Sequence, residues 1–131
     1  MAAIPENFKD ILDKKSFVHL ATIMKDGSPQ VSPVWAEYDG EHIIVNSASG
    51  RLKDRNMKAE SRVALSATDP DNPYRSLMIR GRVVKITEEG ADDHIDKLAK
   101  KYLDKDKYPF RSPDEVRVKY YIEPLKVATM G

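Results

Sequence analysis

Two Asp-Gly pairs constrain the fold of this chain more than any other feature, because Asp-Gly is a strong signal for a tight β-hairpin turn. The pairs are Asp26-Gly27 and Asp39-Gly40, and apolar and β-branched residues dominate the runs on either side. These runs cover residues 16–24, 29–38 and 41–47. Tight turns join antiparallel neighbours. We therefore predict that the three runs are consecutive strands of a meander.

The rest of the chain continues the β pattern and adds helices around it. Further strands are predicted over residues 62–68, 77–87 and 116–122, and residues 125–129 can extend the last one beyond Pro124. Helical apolar spacing predicts helices over residues 5–14, 49–60 and 88–103, the second with Ser49 or Gly50 near its N-cap. Gly81, inside the fifth strand, indicates a bulge or a close backbone approach. The sum is a mainly β (α+β) chain of six antiparallel strands that can curl into a small barrel with peripheral helices.

Composition narrows the class of protein. The 131 residues fit one domain, 1–131, and the net charge of +1 argues against a protein that coats nucleic acid. Aromatic residues are only 8% of the chain, and the strands do not interleave them with basic residues as single-strand-binding barrels do. The N-terminus lacks the pattern of a signal peptide, and no apolar run is long enough for a membrane helix. We expect a soluble cytoplasmic protein that binds neither nucleic acid nor membrane.

The usual catalytic motifs are missing from the sequence. There is no cysteine, and the three histidines lack metal-ligand spacing, so we expect neither a thiol nor a metal site. No nucleophile elbow, Walker loop or dinucleotide-binding glycine motif occurs. If the chain is an enzyme, a cofactor must therefore supply the reactive group.

The most informative segment is residues 46–56, where a strand ends in small polar residues and a helix begins with three bases, Arg51, Lys53 and Arg55. Free backbone amides at a helix start attract anions, and the hydroxyls of Ser47 and Ser49 add donors. Bases at a helix N-terminus oppose the helix dipole, which suggests that an external anion offsets them. The segment therefore predicts a phosphate site, although a solvated basic helix face without a ligand fits the same residues.

Two other segments carry weaker signals. Pro33 cannot donate to a strand ladder, so a backbone group near Trp35 is free to meet the polar edge of a flat ring; an edge strand with a core tryptophan is the simpler interpretation. Tyr74 and Arg80 either reach a ligand across an interface or are ordinary exposed residues.

Five stretches in a fixed order resemble one family over residues 16–129. They are residues 27–35, 50–57, 62–65, 69–74 and 79–83. The chain resembles the split β-barrel flavin and deazaflavin oxidoreductases, also described as pyridoxamine-phosphate-oxidase-like, and within them the coenzyme F420-dependent branch. The resemblance implies a homodimer of six-stranded split barrels with two cofactor sites in the grooves between subunits.

The resemblance also implies a set of cofactor-binding residues. The residues implied to hold the cofactor phosphate are Ser47, Ser49, Arg51, Lys53 and Arg55, flanked by Asn46 and Ala48. Those implied to line the ring are Ser32, Pro33, Val34 and Trp35. Asn56 supports the helix on the phosphate side, and Tyr74 and Arg80 approach from the other subunit. The implied activity is hydride transfer from reduced F420 to a conjugated, planar small molecule, with an FMN-dependent oxidase or reductase as the alternative. No side chain is assigned as catalytic, because the hydride belongs to the cofactor.

The homodimer has independent support in the first strand, which is apolar on both faces. Phe17, Ala21 and Ile23 lie on one face, and Val18, Leu20 and Met24 lie on the other. Only one face can fill the barrel, so the other needs a helix or a partner subunit to cover it.

Overall fold

Seven strands, each antiparallel to its neighbours, form one continuous sheet in the computed structural model, which describes residues 2–131. The strands are β1 (Val18–Ile23), β2 (Pro29–Val34), β3 (Ala36–Tyr38), β4 (Ile43–Ala48), β5 (Arg62–Asp69), β6 (Asn72–Thr87) and β7 (Arg117–Met130). The helices are a 3-10 turn (Glu6–Phe8), α1 (Asp10–Asp13), α2 (Leu52–Ala59) and α3 (Ala91–Leu103).

The two Asp-Gly hairpins are confirmed, but the predicted meander and its count of six strands are wrong. β1 pairs with β2 and β3 pairs with β4, and Gly27 and Gly40 have φ values of +90° and +96°. However, the spatial order is β2-β1-β5-β6-β7-β4-β3, so the predicted strand 29–38 is two strands at opposite edges of the sheet. Only Trp35 separates β2 from β3 in the chain, so the sheet must curl until its two edges meet. The result is a curled, half-barrel sheet, which agrees with the predicted mainly β, antiparallel architecture.

The interior of the curled sheet is the apolar core. In β1, Val18, Leu20 and Thr22 are buried while Phe17 and His19 are exposed, as the predicted alternation requires. All six residues of β4 are buried, because one face of the strand packs in the core and the helices α2 and α3 contact the strand as well. Ile11 and Leu12 of α1 close one part of this core.

The longest strands, β6 and β7, pair along most of their lengths, and the predicted interruption at Pro124 does not occur. Pro124 lies opposite Gly81, where the register shifts. A Cβ atom on Gly81 would lie 2.6 Å from the carbonyl oxygen of Glu123, which confirms the predicted close approach. Glycine therefore allows the bulge that accommodates the proline without ending the strand.

The helices differ from prediction mainly at their starts. The N-terminal segment is a 3-10 turn followed by four helical residues, not one helix over 5–14. Helix α2 begins at Leu52, three residues later than predicted, with Arg51 instead of Ser49 or Gly50 at the N-cap position. Helix α3 also begins three residues later than predicted, at Ala91, after Gly90 in the left-handed region. Within residues 2–131, none of these helices has the length and apolar character needed to cross a membrane.

Candidate functional site

A cavity of about 220 Å³ lies beside the point where β2 passes into β3 and β4 leads towards α2. It joins residues from distant parts of the chain, and its lining combines positive charge with aromatic rings. The lining residues are the cations Arg51, Lys53 and Arg117, the aromatics Phe17, Trp35, Tyr108 and Phe110, and Pro33, Val34, Asn46 and Ile95. Six of the residues predicted from the sequence therefore meet at one cavity: Pro33, Val34, Trp35, Asn46, Arg51 and Lys53.

The cations give the cavity a positive potential. Burial lowers the pKa of the Lys53 ammonium, and the nearby positive charges of Arg51 and Arg117 lower it further. A pKa that neighbouring cations lower shows that the positive charges repel one another, so each cation makes the charged form of Lys53 less stable. A bound anion would relieve this repulsion.

Arg117, at the start of β7, is a site residue that the sequence did not identify. Its alternation with Val116 and Val118 predicts a polar, outward-facing residue, yet only 6% of Arg117 is exposed. In the β4–β7 ladder Arg117 lies opposite Ala48, and the loop before β7 covers it with Tyr108, whose ring centroid is 5.2 Å from the guanidinium carbon. The residues next to Arg117 carry no signal for this placement, because Ala48 is remote in the chain and the position of Tyr108 depends on how the preceding loop folds.

A buried hydrogen-bond chain fixes the orientation of Arg117. Its Nε atom, which can only donate, donates to Asn46 Oδ1 at 2.9 Å. Asn46 Nδ2 therefore faces the other way, donating to the Ala91 carbonyl at 2.9 Å and lying 3.0 Å from His94 Nδ1. Because Nδ2 is a donor, His94 Nδ1 must accept and the ring proton lies on Nε2.

His94 and Glu37 complete this chain on the side away from the cavity. His94 Nε2 lies 3.3 Å from Glu37 Oε1, and Lys97 forms an ion pair with the other carboxylate oxygen. The His94 contact and the Lys97 charge hold the pKa of the Glu37 carboxyl at about 2. The amide of Asn46, which was predicted to touch the cofactor, thus contacts Arg117 on one side and Ala91 and His94 on the other.

The aromatic wall comes from the residue before β1, the β2–β3 link and the loop after α3, and Tyr102 of α3 supports it from behind. The indole of Trp35 stacks on the ring of Tyr102, with centroids 5.2 Å apart and planes inclined by 5°. The Tyr102 hydroxyl donates to the Ser16 carbonyl at 2.8 Å, and Tyr108 meets Trp35 edge-on. Residues 104–114 read as a polar loop in the sequence, so the contribution of Tyr108 and Phe110 was missed.

The start of α2 is stabilised from within the protein. Asp54 accepts a hydrogen bond from the Gly50 amide at 2.9 Å and forms an ion pair with Lys58. The buried Tyr120 hydroxyl donates to the same carboxylate at 2.5 Å. Arg51 pairs with Glu115 at 2.6 Å, so an acid of the chain itself already offsets part of the positive charge for which the sequence suggested an external anion.

The other predicted site residues do not line this cavity. Around β2 and the end of β4, Ser32 and Ser49 are at least partly exposed, Ala48 is buried, and the hydroxyl of the buried Ser47 has no hydrogen-bond partner. On α2, Arg55 is exposed, while Asn56 is buried and donates to Thr22 Oγ1 at 3.1 Å. Asn56 thereby ties α2 to β1.

Tyr74 and Arg80 lie on other surfaces. Tyr74 follows the β5–β6 turn and is 79% exposed. Arg80 borders two adjoining clefts of about 500 and 520 Å³ on the outer face of β1, β5, β6 and β7. Both clefts are lined in part by Ala21, Ala64 and Lys126. We call this surface the outer face.

The curled antiparallel sheet, with a cationic and aromatic cavity at the junction of its edge strands, has the architecture of the pyridoxamine-phosphate-oxidase-like split barrels. The chain belongs to this family: the family model described as pyridoxamine 5'-phosphate oxidase matches residues 4–130. No curated protein matches the chain.

Solved structures similar to the chain agree with the family assignment. An F420 reductase is 35% identical, with a TM-score of 0.84, and the match covers 95% of this chain and 98% of that chain. A conserved hypothetical protein from Mycobacterium tuberculosis is 21% identical, with a TM-score of 0.74 and coverages of 97% and 84%. HupZ from Group A Streptococcus is 19% identical, with a TM-score of 0.67 and coverages of 96% and 93%. The last two similarities show the fold alone.

These similarities define the broad activity. Members of the family are flavin-related oxidoreductases, and the F420 reductase belongs to the same split-barrel group. Together they indicate an oxidoreductase that uses a flavin or a deazaflavin.

Proposed function

We propose that this protein is a coenzyme F420-dependent reductase that transfers a hydride to a conjugated, planar small molecule. One observation carries the proposal: three cations and a stacked aromatic wall meet at one cavity, in a chain 35% identical to an F420 reductase over 95% of its length. The cofactor combines an anionic tail with a flat ring system, and this lining complements both parts.

In this proposal the cations bind the cofactor phosphate. Arg51 and Arg117 provide planar guanidinium groups that can donate two hydrogen bonds to a phosphate, and Lys53 adds a compact charge. The buried Arg117 Nη1 lies 3.1 Å from Glu115 Oε1 as an ion pair but makes no hydrogen bond, so it can still donate to a bound anion. Ser49 and Arg55 are assigned to more exposed parts of the same tail.

The ring system is assigned to the neighbouring wall. Pro33 and Val34 end β2, opposite His19 and Val18 of β1, and Trp35 links β2 to β3. Of these three residues, only Trp35 has its backbone outside the strand ladders. Tyr102 holds the indole of Trp35 by stacking, which makes the wall rigid before a ligand arrives. When bound, reduced F420 supplies the hydride, and the protein orients the ring and excludes water from one side of it.

No side chain in the cavity is a strong candidate for the proton donor. The lining contains no carboxylic acid and no histidine, and Tyr108 is the only phenol among its residues. We therefore assign the proton to water or to the substrate side of the assembled site.

A second copy of the chain is proposed to complete the site. The cavity of about 220 Å³ is smaller than the roughly 300 Å³ or more of most sites for small molecules. The outer face leaves Val31, Met78 and Leu125 exposed by 60%, 39% and 42%, beside clefts lined mainly by apolar atoms. We propose that this face is the homodimer interface, and that Tyr74 and Arg80 reach the cofactor across it.

An FMN-dependent oxidase or reductase is the second candidate. The family name supports it, and the same cations would bind the FMN phosphate. A yellow protein that carries FMN as isolated and does not bind F420 would favour this alternative.

Titration of the purified protein with F420 and with FMN tests the proposal. We expect quenching of F420 fluorescence on binding, and oxidation of reduced F420 in the presence of a conjugated acceptor. Lys53→Ala should weaken binding about tenfold or more, since a hydrogen bond to a charged group contributes about 1.5–3 kcal/mol. Lys25→Ala, an exposed lysine in the β1–β2 turn, is the matched control. Unchanged affinity for both cofactors in Lys53→Ala would show that the phosphate is bound elsewhere.

A further inference from the structure

Glu115 places a negative charge inside the cation cluster. Its Oε1 atom lies 2.6 Å from Arg51 Nη2 and 3.1 Å from Arg117 Nη1. The side chain is only 12% exposed, and Oε2 is buried without a hydrogen-bond partner. A buried carboxylate oxygen without a donor is unfavourable, so packing alone does not account for an acid at this position.

We propose that Glu115 is a specificity-determining residue: it lowers the positive charge of the phosphate site and so makes the site selective for a phosphodiester over a phosphate monoester. With Glu115 ionised, the charges of Arg51, Lys53, Arg117 and Glu115 sum to +2; without it, the sum is +3. A monoester carries up to two negative charges near neutral pH, and a diester carries one.

The selectivity follows from Coulomb's law. Repulsion between Glu115 and a bound phosphate scales with the phosphate charge, so the acid penalises a dianion about twice as much as a monoanion. At a separation of about 6 Å and an effective dielectric constant of about 40, the penalty is about tenfold in affinity for each unit of ligand charge. Glu115 therefore weakens a dianionic monoester by about a further tenfold relative to a diester.

This inference rests on the proposed function, because it concerns the same phosphate site. It also bears on the choice between the two candidate cofactors, since FMN ends in a phosphate monoester whereas F420 holds its phosphate as a diester. An acid at the site favours F420.

The test compares Glu115→Gln with the unaltered protein in titrations with FMN, F420 and riboflavin. Glutamine keeps the shape of the side chain and removes its charge. We expect affinity to rise about a hundredfold for FMN and about tenfold for F420, with no change for riboflavin, which has no phosphate. Glu60→Gln is the matched control, because Glu60 also forms an ion pair with an arginine, Arg62, at 2.7 Å, but outside the cavity.

A second measurement does not depend on either cofactor. Without Glu115 the cations repel one another, so Glu115→Gln should have a lower melting temperature than the unaltered protein in the absence of anions. Inorganic phosphate and pyrophosphate should stabilise it more steeply than they stabilise the unaltered protein or Glu60→Gln.

The outcomes separate this inference from the proposed function. Two results would overturn the role of Glu115 and leave the cofactor proposal standing. One is an FMN affinity of Glu115→Gln that is equal to or lower than that of the unaltered protein. The other is an increase in affinity that is the same for FMN and for F420. If the unaltered protein binds neither cofactor but Glu115→Gln still responds more steeply to phosphate, the proposed function fails and the anion selectivity remains.

Discussion

Arg117 Nε donates a hydrogen bond to Asn46 Oδ1 at 2.9 Å, and both residues are more than 90% buried. This contact joins the two strands, β4 and β7, that bring the cavity together. It also gives Asn46, a predicted ligand contact that lines the cavity, a second role in positioning a cation.

Replacement of Asn46 should affect both stability and ligand binding. Asn46→Ala leaves the buried Arg117 Nε without an acceptor, which should lower the free energy of unfolding by about 2 kcal/mol and weaken binding of phosphate-bearing cofactors. Urea denaturation and cofactor titration measure the two effects. Asn46→Asp retains an acceptor, so it should bind the cofactor better than Asn46→Ala; equal affinities of the two variants would contradict the positioning role.

Trp35 provides a direct reporter of the cavity, because it is the only tryptophan in the chain. We expect its fluorescence to change on titration with F420 or FMN. Trp35→Ala removes an aromatic ring from the cavity wall and should weaken the binding of riboflavin and of FMN by a similar factor of about five, since a contact between two aromatic rings contributes about 1 kcal/mol beyond area burial. A loss confined to FMN would instead assign Trp35 to the phosphate end.

The Glu37 carboxyl gives stability a defined pH dependence. Its pKa is about 2 in the folded protein, against an ordinary value of 4.5, because of His94 and Lys97. The stabilisation is therefore present above pH 4.5 and is lost as the pH falls towards 2. Glu37→Gln should lower stability near pH 7 by about 1–2 kcal/mol after allowance for solvent screening, and this difference should shrink below pH 4.5. Urea denaturation at several pH values checks it, with the exposed Glu89→Gln as control.

The Gly81 bulge predicts two distinct glycine effects. Gly81→Ala should destabilise the protein by about 2 kcal/mol, because the new Cβ would lie 2.6 Å from the Glu123 carbonyl oxygen. Gly27→Ala meets nothing within 4 Å and should cost about 1 kcal/mol through its positive φ alone. Equal losses in urea denaturation would show that steric contact at Gly81 is not the dominant effect.

The proposed dimer can be tested by a charge on the outer face. Ala64 lines both clefts there, so Ala64→Glu should convert a dimer to a monomer in analytical ultracentrifugation. Leu103→Glu, on an exposed apolar residue at the end of α3, should leave the assembly unchanged. A monomeric unaltered protein at micromolar concentration would rule out the proposed interface.

The sequence by itself determined the features that depend on neighbouring residues. Asp26-Gly27 and Asp39-Gly40 predicted their hairpins because glycine readily adopts the positive φ that the turns require. The segment from Asn46 to Lys53 predicted a cationic site, because its charges are adjacent in the chain. Alternation of apolar residues separated the two faces of β1, and the structure buries the face that holds Val18 and Leu20.

Only the tertiary structure decided which distant residues complete the cavity. Nothing near Arg117 in the chain shows that it lies opposite Ala48, and nothing near Trp35 shows that it stacks on Tyr102. The split of residues 29–38 into strands at opposite edges likewise depends on which partners are available across the whole sheet. Turn chemistry is local and can be read from a few residues, whereas strand pairing and cavity lining depend on contacts formed only when the entire sheet curls.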